Sequence, residues 1–151
     1  MRIFNIRRLK LGLLSLLFVS SLSIAQDIPV YYDFNNMPAH ELIPTISMRF
    51  VNTDKFTVIQ WNLKLGAKLY PQHKHINEQV VRILAGDIDA HSGENVYHLH
   101  TGDVMIFPAD VPHGFIAVTD AVMYETQTPV REDFLKPGFI EKLSDLLKNN
   151  Q

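Results

Sequence analysis

Three histidines carry the first chemistry in this chain. His73 and His75 stand one residue apart, so in an extended segment both imidazoles project from the same face. The same parity places Asn77 and Gln79 on that face and sends Lys74, Ile76 and Glu78 to the other. A third, His113, follows Pro112 and opens an apolar run. Imidazole nitrogens suit first-row transition metals, and two on one strand face chelate an ion at little ordering cost. A surface pair without an ion is the plain alternative for His-x-His by itself. His98 and His100 also share a face, but Leu99 between them is the better core residue, so this pair should be exposed. His40 and His91 lack sequence partners and read as surface residues.

The elements that must position these groups read as strands. Short runs rich in Val, Ile, Phe and Tyr recur at about 46–51, 56–64, 78–85, 87–91, 95–100, 103–107, 113–118 and 121–127, each closed by Gly, Asp, Asn or Pro. Gly93-Glu94-Asn95 reads as a hairpin turn, and Gly66, Gly86 and Gly102 mark strand ends. Trp61, with Phe56, Val58 and Tyr70, reads as interior packing. Residues 26–45 contain Pro29, Pro38 and Pro44 and read as an extended arm. After Pro137-Gly138 the pattern turns helical, with Ile140, Leu143, Leu146 and Leu147 on one stripe. The expected class is all-β, a sandwich or barrel with one closing helix.

The spacing around the histidines is more specific than the histidines themselves. Gly66 stands seven residues before His73, three residues separate His75 from Gln79, and six more lie between Gln79 and the closing Gly86. Downstream, Gly102 is followed by five residues and Pro108, with His113 five positions beyond that proline. This arrangement resembles the two sequence motifs of the cupin superfamily. The resemblance implies a single-domain cupin β-barrel (a double-stranded jelly roll) over 46–135, flanked by the arm at 26–45 and the helix at 136–151. It also implies one divalent transition metal, Mn, Fe, Co, Ni or Zn, held by His73, His75, Gln79 and His113. Asp110 and Ala117 stand where the second motif has Gly and Asn; neither is a ligand position. Cupin oxygenases commonly offer Glu at the third ligand position. Three imidazoles and an amide are all neutral, which leaves the ion its full charge as a Lewis acid. The alternative is that Glu78 turns inward at a bulge and supplies a carboxylate.

The segment from Glu125 through Arg131 to Phe134 looks like the pectin-degradation cupins, which open unsaturated monouronates into keto acids. In that likeness Glu125 takes the acid/base position and Arg131 the position of an anion clamp. Gln127 stands where those proteins have an aromatic residue. An Arg fork grips a carboxylate in bidentate fashion, and a carboxylic acid beside a metal can protonate an alkene. The plain reading of Arg131 with Glu132 and Asp133 is a solvated ion-pair cluster. Two other functions fit the same motifs: a metal-dependent dioxygenase of a small organic substrate, and a non-catalytic sugar-binding or sensing cupin. No phosphate-cradling glycine loop, serine nucleophile motif or cysteine is present.

The leader adds the compartment. Arg2, Arg7, Arg8 and Lys10 precede the apolar run from Leu11 to Val19, and Ser23-Ile24-Ala25 supplies small residues where a signal peptidase cuts. A signal peptide over 1–25 predicts a periplasmic or secreted protein with no membrane attachment after cleavage; an uncleaved anchor is the alternative. Without the leader, ten basic residues face sixteen acidic ones, a formal charge of −6. That balance disfavours nucleic acid as a partner. The expected partners are a small anionic substrate and a second copy, as a homodimer. With no Cys, stability rests on the core and on the metal.

Overall fold

Among the described residues there are ten strands, and the inward–outward alternation of the longer ones builds the interior. The computed structural model describes residues 28–151, apart from the Tyr70 side chain; the expected signal peptide over 1–25 lies outside the described residues. The strands are β1 (His40–Ile43), β2 (Ile46–Asn52), β3 (Thr57–Leu63), β4 (Lys68–His73), β5 (Glu78–Ala85), β6 (Asp87–Ser92), β7 (Asn95–His100), β8 (Val104–Phe107), β9 (His113–Ala117) and β10 (Ala121–Thr128). They form a six-stranded antiparallel sheet, β1-β2-β3-β10-β5-β8, and a four-stranded one, β4-β9-β6-β7. This is the expected cupin barrel, with its core between the two sheets. Tyr32–Gln151 form one compact unit, and residues 28–31 are exposed.

Two strands were not foreseen. β1 falls within the expected arm, yet it pairs with β2, and Leu42 and Ile43 are buried. β4 carries Pro71, and its pairing with β9 is regular at Lys68 and Leu69, then shifts before His73. Proline has no N–H to give a ladder, so it is tolerated here because β4 is a sheet edge with an irregularity. Within β3 the inward residues are Thr57, Ile59, Trp61 and Leu63. Trp61 therefore packs inside as expected, whereas Val58 takes the opposite parity and Phe56 is exposed. Gly93-Glu94 closes the β6–β7 hairpin, with Ser92 opposite Asn95.

The interior is graded from one end to the other. Along β10 the inward residues run Ala121, Met123, Glu125, Gln127; along β5 they run Ile83, Val81, Gln79; along β9 they run Ala117, Phe115, His113. Register aligns these series, since Gln127 stands opposite both Gln79 and Thr57, while Met123 stands opposite Ile83 and Trp61. One end of the barrel is apolar and the other is lined by buried polar groups.

After β10 a 3-10 turn at Glu132–Leu135 leads to helix α1 (Phe139–Lys148). Phe134 seats this turn, meeting Phe50 edge-on at 5.1 Å and Phe139 at 4.3 Å between ring centroids. Leu147 is buried, and Ile140 and Leu143 pack against the core, as the stripe predicted; Leu146 instead faces solvent. Among the described residues no helix is long and apolar enough to cross a membrane.

Candidate metal centre

The polar end of the barrel gathers the three expected histidines. His73 ends β4, His113 begins β9 directly opposite it, and His75 lies just past β4. Ring centroids are 4.7 Å apart for His73 and His113, 5.0 Å for His75 and His113, and 5.9 Å for His73 and His75. One ligand nitrogen from each lies within 4.8 Å of the others, so the three are placed to hold one metal ion.

Backbone carbonyls set the tautomers of two rings. His113 Nδ1 lies 2.8 Å from the Val111 carbonyl and His75 Nδ1 3.0 Å from that of Asn77. A carbonyl only accepts, so each Nδ1 carries the proton and each Nε2 keeps its lone pair. The His113 Nε2 is buried without a hydrogen-bond partner. The His75 Nε2 faces Gln79 Oε1 at 3.0 Å. Both of those atoms present lone pairs, and ligands about 2.1 Å from one ion at right angles stand about 3.0 Å apart. The donor set therefore fits a divalent cation.

Electrostatics keep the imidazoles neutral. Burial, then the neighbouring His113, His75 and Arg131, push His73 down to about 4. His73 is the most exposed of the three as a residue, yet its ring is surrounded by protein, and that burial lowers it more than the neighbouring imidazoles do. His75 and His113 are also lowered, mainly by burial, with Arg131 contributing to each. Neutral imidazole is the metal-binding form.

Gln79 is buried at 1% exposure while Glu78 is exposed, so β5 turns the amide inward and the carboxylate outward. Behind Gln79 runs a buried polar chain. Gln127 Nε2 donates to Gln79 Oε1 and to Glu125 Oε2, each at 2.9 Å, and Arg131 Nη1 donates to Gln127 Oε1 at 2.9 Å. Burial lifts the Glu125 carboxyl to about 7, against the opposing pull of Trp61, Arg131 and Gln127. The buried Trp61 indole N–H makes no well-aligned hydrogen bond, yet it lies close enough to favour the carboxylate.

Arg131 differs from a free anion clamp. Its Nε and Nη2 grip Asp133 at 2.8 and 2.6 Å, and its guanidinium lies 5.1 Å from the Phe134 ring. The ion pair foreseen as a solvated cluster is half real: Asp133 takes part, and Arg131 is only 15% exposed.

Asn77 and Gln127 were not assigned roles from sequence. Asn77 is buried, its carbonyl faces His75, and its Nδ2 donates to the Pro129 carbonyl. Strand parity had already put it on the histidine face. Gln127, at 2% exposure, connects Arg131, Glu125 and Gln79; only the β5–β10 register reveals that. His98 and His100 are exposed as expected and pair with Asp89 and Asp87, away from the cluster. A surface cavity of about 520 Å³, lined by Glu41, Asn62, Lys64 and Asp120 among others, includes none of the site residues.

Residues 60–125 match the Cupin domain family. Among solved structures, a RmlC-like cupin from Shewanella frigidimarina superposes with a TM-score of 0.65 at 20% identity, covering 71% of this chain and 96% of its own. KdgF from Halomonas sp. gives 0.65 at 18% identity, covering 70% and 99%. A RmlC-like cupin protein from Desulfovibrio desulfuricans gives 0.53 at 26% identity, covering 68% and 92%. No curated protein sequence matches this chain.

Proposed function

We propose that this cupin is exported and holds one divalent metal through His73, His75, Gln79 and His113. Its substrate is a small sugar acid, and its reaction opens the ring of unsaturated monouronates released from pectin or alginate. The observation that carries the reading is the buried Glu125 carboxyl, raised to about 7 and joined through Gln127 to the metal-facing amide. At neutral pH such a group both holds and releases a proton, as ring opening requires.

When bound, the metal supplies Lewis-acid polarisation of the substrate's oxygens. The protein's own groups do the rest. Glu125 holds the proton at its carboxyl. Arg131 lends positive charge to the mouth; because its fork grips Asp133, it attracts a carboxylate at longer range rather than by a free bidentate grip. The exposed side of His73 leaves the cluster open to a ligand. The leader supports export, and the exposed Val104 and Ile106 on edge strand β8 support a homodimer.

The test mixes lyase-generated monouronate with metal-loaded protein and follows loss of the ring alkene's ultraviolet absorbance. Rates above spontaneous opening are expected. Protein that never exceeds that background with any of several metals overturns the uronate reading.

A further inference from the structure

We infer that Gln127 is a positioning residue that, anchored by Arg131, locks the Gln79 amide with its oxygen toward the histidines and thereby sets metal affinity. The inference rests on the reading of Gln79 as a ligand.

An amide can point either way, and here groups without a choice decide. A guanidinium only donates, so Gln127 Oε1 must be the atom that receives Arg131 Nη1 at 2.9 Å. The other end of Gln127 is then its NH2 group. Those two hydrogens go to Gln79 Oε1 and Glu125 Oε2. A reversed Gln79 would set NH2 against NH2, so its oxygen is fixed inward. From the opposite side, the Asn77 carbonyl fixes His75 Nδ1 as donor and leaves Nε2 bare. Two independent chains of obligate donors and acceptors thus meet at the 3.0 Å gap between Gln79 Oε1 and His75 Nε2, with no proton to fill it. A cation satisfies both.

All of this is buried: Gln79 is 1% and Gln127 2% exposed, and Gln79 Nε2 has no hydrogen-bond partner. Leaving a buried donor unpaired is costly. The lock therefore tolerates that cost in order to hold the oxygen inward. An aromatic side chain at 127 has no NH2 group to donate to Gln79, so this device belongs to the chain's own departure at that position.

The experiment measures Zn2+ or Co2+ affinity by chelator competition on the full chain. Gln127→Met keeps length and removes both amide ends; it should weaken binding about 10- to 100-fold, the usual cost of losing a group that orients a ligand. Gln79→Ala should weaken binding at least as much, and Gln127→Met added to Gln79→Ala should cost less than a further twofold. An equal loss from Gln127→Met with and without Gln79 overturns the inference while leaving Gln79 a ligand. Unchanged affinity in Gln79→Ala overturns the ligand reading itself, and the inference with it. Nitrogen-15 spectra of the wild-type protein serve if the variants do not fold. Zn2+ should shift the side-chain NH2 signals of both Gln79 and Gln127, and an unmoved Gln127 signal refutes the coupling.

Discussion

The backbone N–H of Asp110 donates to the carbonyl of His75 at 2.8 Å, tying the loop before His113 to the segment that carries the other two histidines. Asp110 makes this bond from a left-handed conformation, φ +63°. Glycine reaches that region freely, other residues at a cost, and Asp less than most. Asp110→Gly should be neutral or stabilising by up to about 1 kcal/mol. Asp110→Val should destabilise by about 1–3 kcal/mol and lower metal affinity with it. Thermal melting and metal titration of the two variants check both outcomes.

The metal set makes unequal demands. His113→Ala removes a buried ligand nitrogen and should strip most of the ion from purified protein. Glu78→Gln, on the exposed face of β5, should leave occupancy at one ion per chain. Elemental analysis decides, and a fully loaded His113→Ala protein refutes the assignment.

Glu125 should also register in stability. Its carboxyl is raised in the folded state to about 7 from an ordinary 4.5, so the folded chain binds the extra proton. Its contribution is therefore present at low pH and lost as pH rises from about 4.5 through 7. Glu125→Gln removes this loss, so its stability advantage over wild type should grow across that window, reaching at most about 3 kcal/mol. Urea melts of metal-free protein at pH 5 and pH 8 measure it; an advantage that shrinks with pH contradicts the burial argument. His73 pulls the other way in both proteins, since its depressed imidazole favours the folded state less as pH falls from 6.5 through about 4.

On the uronate reading, Glu125→Gln keeps size and the Gln127 hydrogen bond but cannot transfer a proton. The rate should fall about 10²- to 10⁴-fold with binding nearly intact. Arg131→Lys keeps the charge but cannot hold Asp133 and Gln127 together, so KM should rise. Steady-state kinetics separate the two; an unchanged kcat in Glu125→Gln removes it from the reaction.

Export is checked directly. Intact mass of the native protein should correspond to a chain beginning at Gln26. A retained leader in the membrane fraction contradicts cleavage after Ala25.

Much of the barrel was legible because alternation leaves a two-residue period, as in Ala121, Met123, Glu125 and Gln127. His73 and His75 were legible for the same reason. β1 is four residues long, and β4 is broken by Pro71, so neither shows enough periods to declare itself. Phe56 and Val58 do not join Trp61 inside, because apolar character alone does not say which face of β3 turns inward. The Gln79–Gln127 contact joins positions far apart in the chain, and register between strands has no local signature. The Arg131–Asp133 grip is local, but a fork can turn to either a side chain or a ligand, and sequence does not choose.

The graded interior divides labour along the barrel axis. Ile83, Met123, Phe115 and Trp61 hold the sheets together toward the apolar end, whereas the histidines, Gln79, Glu125 and Gln127 gather toward the other. Exchanging a mouth residue such as Gln127 perturbs a hydrogen-bond circuit without opening a hole in the hydrophobic floor. A lineage built this way can wander between metals and substrates by changing a few rim side chains while its chassis stays folded.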